Sequence, residues 1–360
     1  MKICVYAISK NEEKFVNRWV ESMKEADEIY VLDTGSTDNT VNLLKEKGVN
    51  VEEKEITPWR FDTARNLSLE LVPKDTDICV CTDLDVVFIK GWRKILEKNW
   101  TSSTTRAKYN YNWLLDENDK PIINFYIEKI HSRDGYKWTH PVHEVLTPSI
   151  EEHKVQIDNL TVNHYPDSNK SRASYLPLLE LSVKEDPTDD RNMHYLGREY
   201  MYYKKYDKAI ETLKKHLILE KARWKDERAA SMRFIGRCYK ELKNYKEAHL
   251  WYELAIKEAP HLRDAYIENA LLYYDEKNYK EIEKNCLKAL EIRTHEKTYI
   301  NEPFSWNETV YDLLSIATYY LEKYDYSNLF INIACSINPK DKRLIENKKI
   351  IEQKIKEISN

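Results

Sequence analysis

Apolar and polar positions along this chain follow two rhythms. Up to about residue 165, short apolar runs alternate with stretches of helical spacing. Residues 3–8 (ICVYAI) form an apolar run of strand length. From Asn11 to Lys24, Phe15, Trp19 and Met23 recur every four residues and share one helix face. Residues 28–33 (EIYVLD) predict a second strand. A helix with Val41, Leu43 and Leu44 turned inward follows, and Gly48 stands where a left-handed, helix-ending residue is expected. Val49–Glu53 predicts a third strand, Phe61–Leu71 a helix and Ile78–Thr82 a further strand. This βαβα order predicts an α/β domain with a parallel sheet that binds ligands at the carboxyl ends of its strands.

Beyond about residue 172 the strand pattern stops and a repeat takes over. Gly197, Gly236, Ala270 and Ser315 align as the small residue of a first helix. Tyr206, Tyr245, Tyr279 and Tyr324 each lie nine residues later. Leu213, Tyr252, Cys286 and Ile331 lie sixteen later, and His216, Ala255, Ala289 and Ala334 nineteen later. Small residues at fixed spacing let two antiparallel helices approach closely. The repeats are 39, 34 and 45 residues apart. One step therefore has the length of about 34 residues typical of tetratricopeptide units, and the other two need inserted loops, near 222–228 and 295–307. The expected organisation is a domain over 1–170 and a helical repeat domain over 171–360, with Arg172–Glu185 as a helix joining them.

Composition narrows the functions open to such a chain. Only 6 of 360 residues are glycine, against roughly 7% in average usage. No GxGxxG or Walker spacing is present, so the common glycine-rich phosphate loops are excluded. With 57 basic and 61 acidic residues the net charge is −4. That balance gives no polybasic footprint, which makes nucleic acid an unlikely partner without excluding a local basic groove. No apolar stretch approaches the ~20 residues of a membrane span. The run behind Lys2 is too short for a signal-peptide core, and a cytoplasmic protein is expected. The six cysteines include no CxxC pair, so reduced, packed thiols are expected rather than a zinc or redox motif.

Three segments carry candidate chemistry. In Val31–Thr40 (VLDTGSTDNT) a strand ends on Asp33 before a glycine and a Ser/Thr/Asp cluster. An acid there can accept hydrogen bonds from a nucleotide, and equally the cluster can simply cap the next helix. In Cys81–Asp85 (CTDLD) a buried strand runs into Asp83 and Asp85. Residues i and i+2 of an extended segment face the same side, and two like charges there suit a divalent cation that bridges to phosphates. In Trp138–Glu144 (WTHPVHE), His143 can ligate a metal and Glu144 can act as a base. His164 follows within the same region and also reads as a buried histidine at the seam between the halves. The aromatic run Tyr109–Trp113, with Tyr126, reads either as a sugar or acceptor platform or as a strand packed on the core.

In chain order, Asn11-Glu12-Glu13, Asp33–Asp38, Phe61 with Ala64-Arg65-Asn66, Asp83-Leu84-Asp85, Trp138…His143-Glu144 and His164 resemble family 2 glycosyltransferases of GT-A fold. The chain resembles most the subgroup with C-terminal tetratricopeptide repeats, and in layout the S-glycosyltransferases of bacteriocin peptides. The resemblance implies a GT-A (Rossmann-like) domain followed by all-α repeats. It implies that Ala7, Ser9, Glu12 and Asp33 hold the nucleotide base, with Arg65 nearby and Asp83 reaching ribose or metal. Asp85 would bind Mn²⁺ or Mg²⁺ across the diphosphate of a nucleotide sugar, a UDP-sugar foremost, and His143 would complete that shell. Asp85 and Glu144 would be the catalytic carboxylates, although relatives often place an aspartate of a Glu-Asp pair where this chain has His-Glu. A peptide, protein or cell-surface glycan acceptor, docked by the repeats, would complete the reaction, and self-association is compatible with it. The competing reading is a non-catalytic repeat scaffold that binds a protein partner and keeps a degenerate transferase domain.

Overall fold

The computed structural model describes residues 1–167 and 173–359. It divides into two compact units, one of Met1–Glu185 with Lys297–Tyr299 and one of Asp186–Glu296 with the chain from Ile300 onward.

The first unit opens as the periodicity predicts. Strand β1 (Ile3–Ser9), helix α1 (Glu13–Met23), β2 (Glu28–Asp33), α2 (Thr40–Glu46), β3 (Asn50–Glu53), α3 (Phe61–Glu70) and β4 (Ile78–Thr82) follow in turn. Next come β5 (Val86–Phe88), α4 (Trp92–Asn99), β6 (Arg106–Leu115), β7 (Pro121–Ser132), β8 (Tyr136–Thr139), β9 (Val145–Pro148), β10 (Lys154–His164) and α5 (Tyr175–Glu185). Helix α5 counts with this unit, and Arg172, where a joining helix was expected to begin, lies outside the described residues.

Eight strands form one sheet in the order β3-β2-β1-β4-β7-β6-β10-β5. The expected parallel sheet is only half the answer. Strands β3, β2, β1 and β4 are parallel, whereas β7 runs antiparallel to β4, β6 antiparallel to β7 and β5 antiparallel to β10. The change of direction comes from the β6–β7 hairpin, which needs no crossover helix. Its turn is closed by Asp116, whose backbone N–H donates to Lys120 O at 2.9 Å and whose Oδ1 accepts from Asn118 N at 2.7 Å. Phe15, Trp19 and Met23 of α1 pack into the sheet core beside Val5, Val80, Trp92 and Ile130. Trp19 Nε1 also donates to Thr82 Oγ1 at 3.1 Å, fixing α1 against the end of β4.

The second unit is a series of antiparallel helix pairs: α6 (Asp190–Tyr202) with α7 (Tyr206–Ile218), α8 (Lys225–Glu241) with α9 (Tyr245–Glu258), α10 (Asp264–Asp275) with α11 (Tyr279–Glu291), and α12 (Thr309–Tyr320) with α13 (Tyr324–Ile337), followed by α14 (Lys342–Ser359). The aligned small residues are the points of close approach. A Cβ on Gly197 would meet Leu213 Cγ at 2.5 Å, and one on Gly236 would meet Tyr252 Cε1 at 2.7 Å, both at the sixteen-residue spacing. Ala270 and Cys286 share one buried cluster, and Ser327 Oγ donates to Ser315 O at 2.8 Å.

The four hairpin turns are alike. Lys204, Lys243, Lys277 and Glu322 have φ of 57°, 61°, 59° and 60°. Each donates to the carbonyl three residues back, and the next residue donates to the carbonyl five back. This is the Schellman closure usually made by glycine. The long repeat steps are taken up between Ile218 and Lys225 and between Glu291 and Thr309.

Candidate active site

The end of β4 is where the first unit concentrates buried charge. Arg65 of α3 is buried, and its guanidinium holds three groups. Nη1 donates to Thr82 O at 3.0 Å, Nη2 pairs with Asp83, and Nε donates to Glu144 Oε1 at 3.1 Å. Burial by itself disfavours the Arg65 charge, but the Asp83 and Glu144 carboxylates raise its pKa well above the ordinary value. Lys129 of β7 donates to the other oxygen of Asp83 at 3.0 Å. Burial pushes the Asp83 carboxyl up, yet the two cations outweigh it and hold it well below the usual carboxylate range. Asp83 is therefore one partner in a network of two cations and two carboxylates.

Local structure explains how Glu144 arrives there. Strands β8 and β9 form a hairpin whose loop, residues 140–144, contains two non-glycine residues in the left-handed region, His140 at φ 75° and His143 at φ 50°. Phe61 N donates to Pro141 O at 3.0 Å. Asn66 clasps β8, accepting from Trp138 N and donating to Trp138 O, each at 2.9 Å. The Ala64-Arg65-Asn66 segment thus orients the loop through Asn66 and its carboxylate through Arg65. The His143 ring lies 5.7 Å, edge to face, from Tyr175.

Asp85 stands two residues on, in a different setting. Its carbonyl accepts from Tyr165 N at 2.8 Å, and β5 pairs with β10 in a register that sets Val86 opposite His164. That pairing brings His164 Nε2 to 3.4 Å from Asp85 Oδ2, while its Nδ1 lies 3.0 Å from Trp113 O. The imidazole stacks on Trp113 with centroids 4.4 Å apart and planes at 15°. Tyr109, Tyr111 and Trp113 follow one another at every second position of β6. Tyr109 is buried in the core, and Trp113 is 44% exposed beside His164. The aromatic run is packed in the core at one end and presents an open ring face at the other.

The nucleotide-side residues are tightly tied to one another. Ser9 Oγ donates to Asp33 Oδ2 at 2.7 Å, and Gly35 N and Ser36 N donate to Asp33 Oδ1 at 3.0 and 2.7 Å. Ser36 Oγ adds a bond to Oδ2 at 2.6 Å. Asp33 thus builds the turn after β2, where Gly35 takes φ +103°. Ala7 is buried in β1 opposite Thr82. Glu12 is buried, and its backbone N–H donates to Thr40 Oγ1 at 2.7 Å. Asn11, at φ 55°, accepts from Thr37 N at 2.7 Å, so the loops after β1 and β2 are joined at the carboxyl edge.

The structure thus gathers Arg65, Asp83 and Glu144 in one network and Ser9 with Asp33 in another. The histidine it sets against Asp85 is His164. Lys129 carried no signal in the sequence, because a lysine on a strand reads as solvent-facing. Whether the residues fit a divalent ion turns on Asp85 and His164, an oxygen and a nitrogen donor 3.4 Å apart. That separation suits two ligands of one ion.

Residues 4–141 match the glycosyl transferase family 2 profile, so the first unit carries a family 2 glycosyltransferase domain. The chain is similar to the SPbeta prophage-derived glycosyltransferase SunS of Bacillus subtilis (strain 168) and to glycosyltransferase SunS of Bacillus phage SPbeta. Identity to each is 25% over 291 residues, covering 74% of this chain and 66% of the relative. The chain spans about two thirds of the length of these relatives. Among solved structures, that of MamA protein is 19% identical, covering 46% of this chain and 81% of that one with a TM-score of 0.36. A tetratricopeptide repeat protein from Parabacteroides merdae is 20% identical, covering 50% and 65% with a TM-score of 0.38. No helix among the described residues is long and apolar enough to cross a membrane.

Proposed function

We propose that the chain is an inverting, metal-dependent glycosyltransferase that moves a sugar from a nucleotide sugar, with a UDP-hexose as donor. The observation that carries this reading is the Asp85–His164 pair at the carboxyl edge of the sheet, 3.4 Å apart, inside a family 2 domain. Asp85 and His164 hold Mn²⁺ or Mg²⁺, and His164 takes the place that the sequence resemblance gives to His143. Such an ion stabilises the charge of the departing nucleoside diphosphate. The walls formed by the loops after β1 and β2 take the base.

Arg65 keeps Asp83 ionised and holds Asp83 and Glu144 in place. Glu144 is bonded to Arg65 through Oε1, and its Oε2 is the base that takes the acceptor proton. A peptide, a protein or a cell-surface glycan is the acceptor class, with the helical unit as its docking surface. The test is nucleotide release from a panel of UDP- and GDP-sugars with and without Mn²⁺. Manganese-dependent release of UDP from a UDP-hexose is the expected result. Absence of release from every donor, with no calorimetric binding of UDP plus Mn²⁺, would favour the scaffold reading instead.

A further inference from the structure

The second unit contains a buried polar cluster that the transfer reaction does not use. Asp190 opens α6, His216 lies in the last turn of α7 and Glu227 lies in the first turn of α8. One ligand atom from each lies within 4.8 Å of the other two. Glu227 is buried and Asp190 half-buried. His216 is fully buried, and its Nε2 makes no hydrogen bond. Glu227 Oε1 lies 3.4 Å from that nitrogen.

The other face of the imidazole is fixed. His216 Nδ1 lies 2.9 Å from Ser231 Oγ, and the same oxygen lies 2.7 Å from Nδ1 of His194. A hydroxyl carries one proton, so Ser231 can donate to only one of these nitrogens and must accept from the other. If Ser231 donates to His194, His216 must donate through Nδ1, and its Nε2 is left with a bare lone pair facing two carboxylates. That tautomer is a prepared metal ligand with its outer hydrogen bond in place. Tetrahedral zinc with bonds of about 2.0–2.2 Å sets its ligand atoms roughly 3.3–3.6 Å apart. The His216–Glu227 pair already has that separation, and Asp190 offers an oxygen within 4.8 Å of both.

We propose that Asp190, His216 and Glu227 bind one zinc ion within the helical unit, tying the start of α6, the end of α7 and the start of α8 together. An imidazole with two carboxylates suits a borderline transition ion such as Zn²⁺ better than Mg²⁺, which prefers an all-oxygen shell. A fourth position remains for water. All three ligands belong to the helical unit.

Equilibrium dialysis of the full chain against Zn²⁺ tests this, in an Asp85→Asn background so that the donor corner does not contribute. One zinc per chain is expected, with a rise in melting temperature that Mg²⁺ does not give. Asp190→Asn and Glu227→Gln should each weaken zinc at least about tenfold. Asp190→Asn keeps the test sound if Glu227→Gln misfolds, because Asp190 is half-buried and a folded variant can be confirmed by circular dichroism. Nitrogen-detected histidine NMR should show the His216 Nε2 resonance move on adding zinc. No zinc uptake, an unmoved Nε2 resonance, or a zinc affinity in both variants unchanged from that of the parent chain, as binding to the free thiols would give, overturns the proposal.

Discussion

Asp83 and Asp85 are two residues apart on one strand end, yet the protein treats them differently. Asp83 is gripped by Arg65 and Lys129 and shares Arg65 with Glu144. Asp85 faces His164, beside an exposed tryptophan. The first corner is a closed network in which every charge has a partner of opposite sign. The second offers donor atoms and an aromatic face, with no lysine or arginine paired to Asp85 among the described residues. A DxD spacing therefore says where carboxylates gather and not which of them remains available to a ligand. Buried cations decide that, and they come from α3 and β7, far away in sequence.

The contrast can be broken in order of expected effect. Asp85→Ala should lower donor turnover at least about 10³-fold while leaving the melting temperature nearly unchanged, as loss of metal-assisted charge stabilisation predicts. Arg65→Met should act in the opposite sense, on stability first. It leaves Asp83 and Glu144 without their shared cation, and breaking such a buried pair costs about 3–5 kcal/mol. Denaturant unfolding reads this directly. A melting temperature equal to wild type would contradict the closed network.

Acid should also undo the first corner. Beneath it, His131 Nε2 lies 2.7 Å from Tyr6 OH, which accepts from Trp138 Nε1 at 2.9 Å. The Trp138 ring lies 5.8 Å from the Arg65 guanidinium. Burial lowers the His131 pKa to about 3. Below pH ~6.5 the unfolded chain binds a proton on this histidine and the folded chain does not, so its share of stability is lost as pH falls from about 6.5 towards 3. Between pH 7 and 5 the loss amounts to about 2 kcal/mol. Urea unfolding at pH 7 and pH 5 should show it, with a smaller difference in His131→Gln. A difference as large in that variant as in wild type would remove His131 from the account. The mildest change is His164→Gln, which keeps a polar side chain of similar reach. It should weaken Mn²⁺-dependent donor turnover about tenfold and shift the half-saturating Mn²⁺ concentration upward. An unchanged Mn²⁺ dependence would return the role to another ligand.

Much of this was legible in the sequence, for identifiable reasons. The elements from Ile3 to Thr82 follow from apolar runs and four-residue spacing, because each is set by contacts its own neighbours determine. The repeat spacing located the Gly197–Leu213 and Gly236–Tyr252 contacts, since only a residue without Cβ fits there. Pairing of β5 with β10 was not legible. It joins residues nearly eighty apart through a hairpin and an edge strand of three residues, and it is what brings His164 to Asp85. The hairpin turns at Lys204, Lys243, Lys277 and Glu322 were equally hidden, because a left-handed residue that is not glycine leaves no compositional mark. Asp33 shows the limit of motif reading. The same carboxylate that resembles a nucleotide ligand accepts four hydrogen bonds from Ser9, Gly35 and Ser36.

Calorimetric titration of UDP in the presence and absence of Mn²⁺ tests the central claim most directly. Wild-type chain should bind UDP with a heat that requires Mn²⁺. Asp85→Asn should abolish that dependence, and Asp83→Asn should weaken it at least tenfold less. Manganese-dependent binding that survives Asp85→Asn unchanged, or its absence from the wild-type chain, would contradict the account.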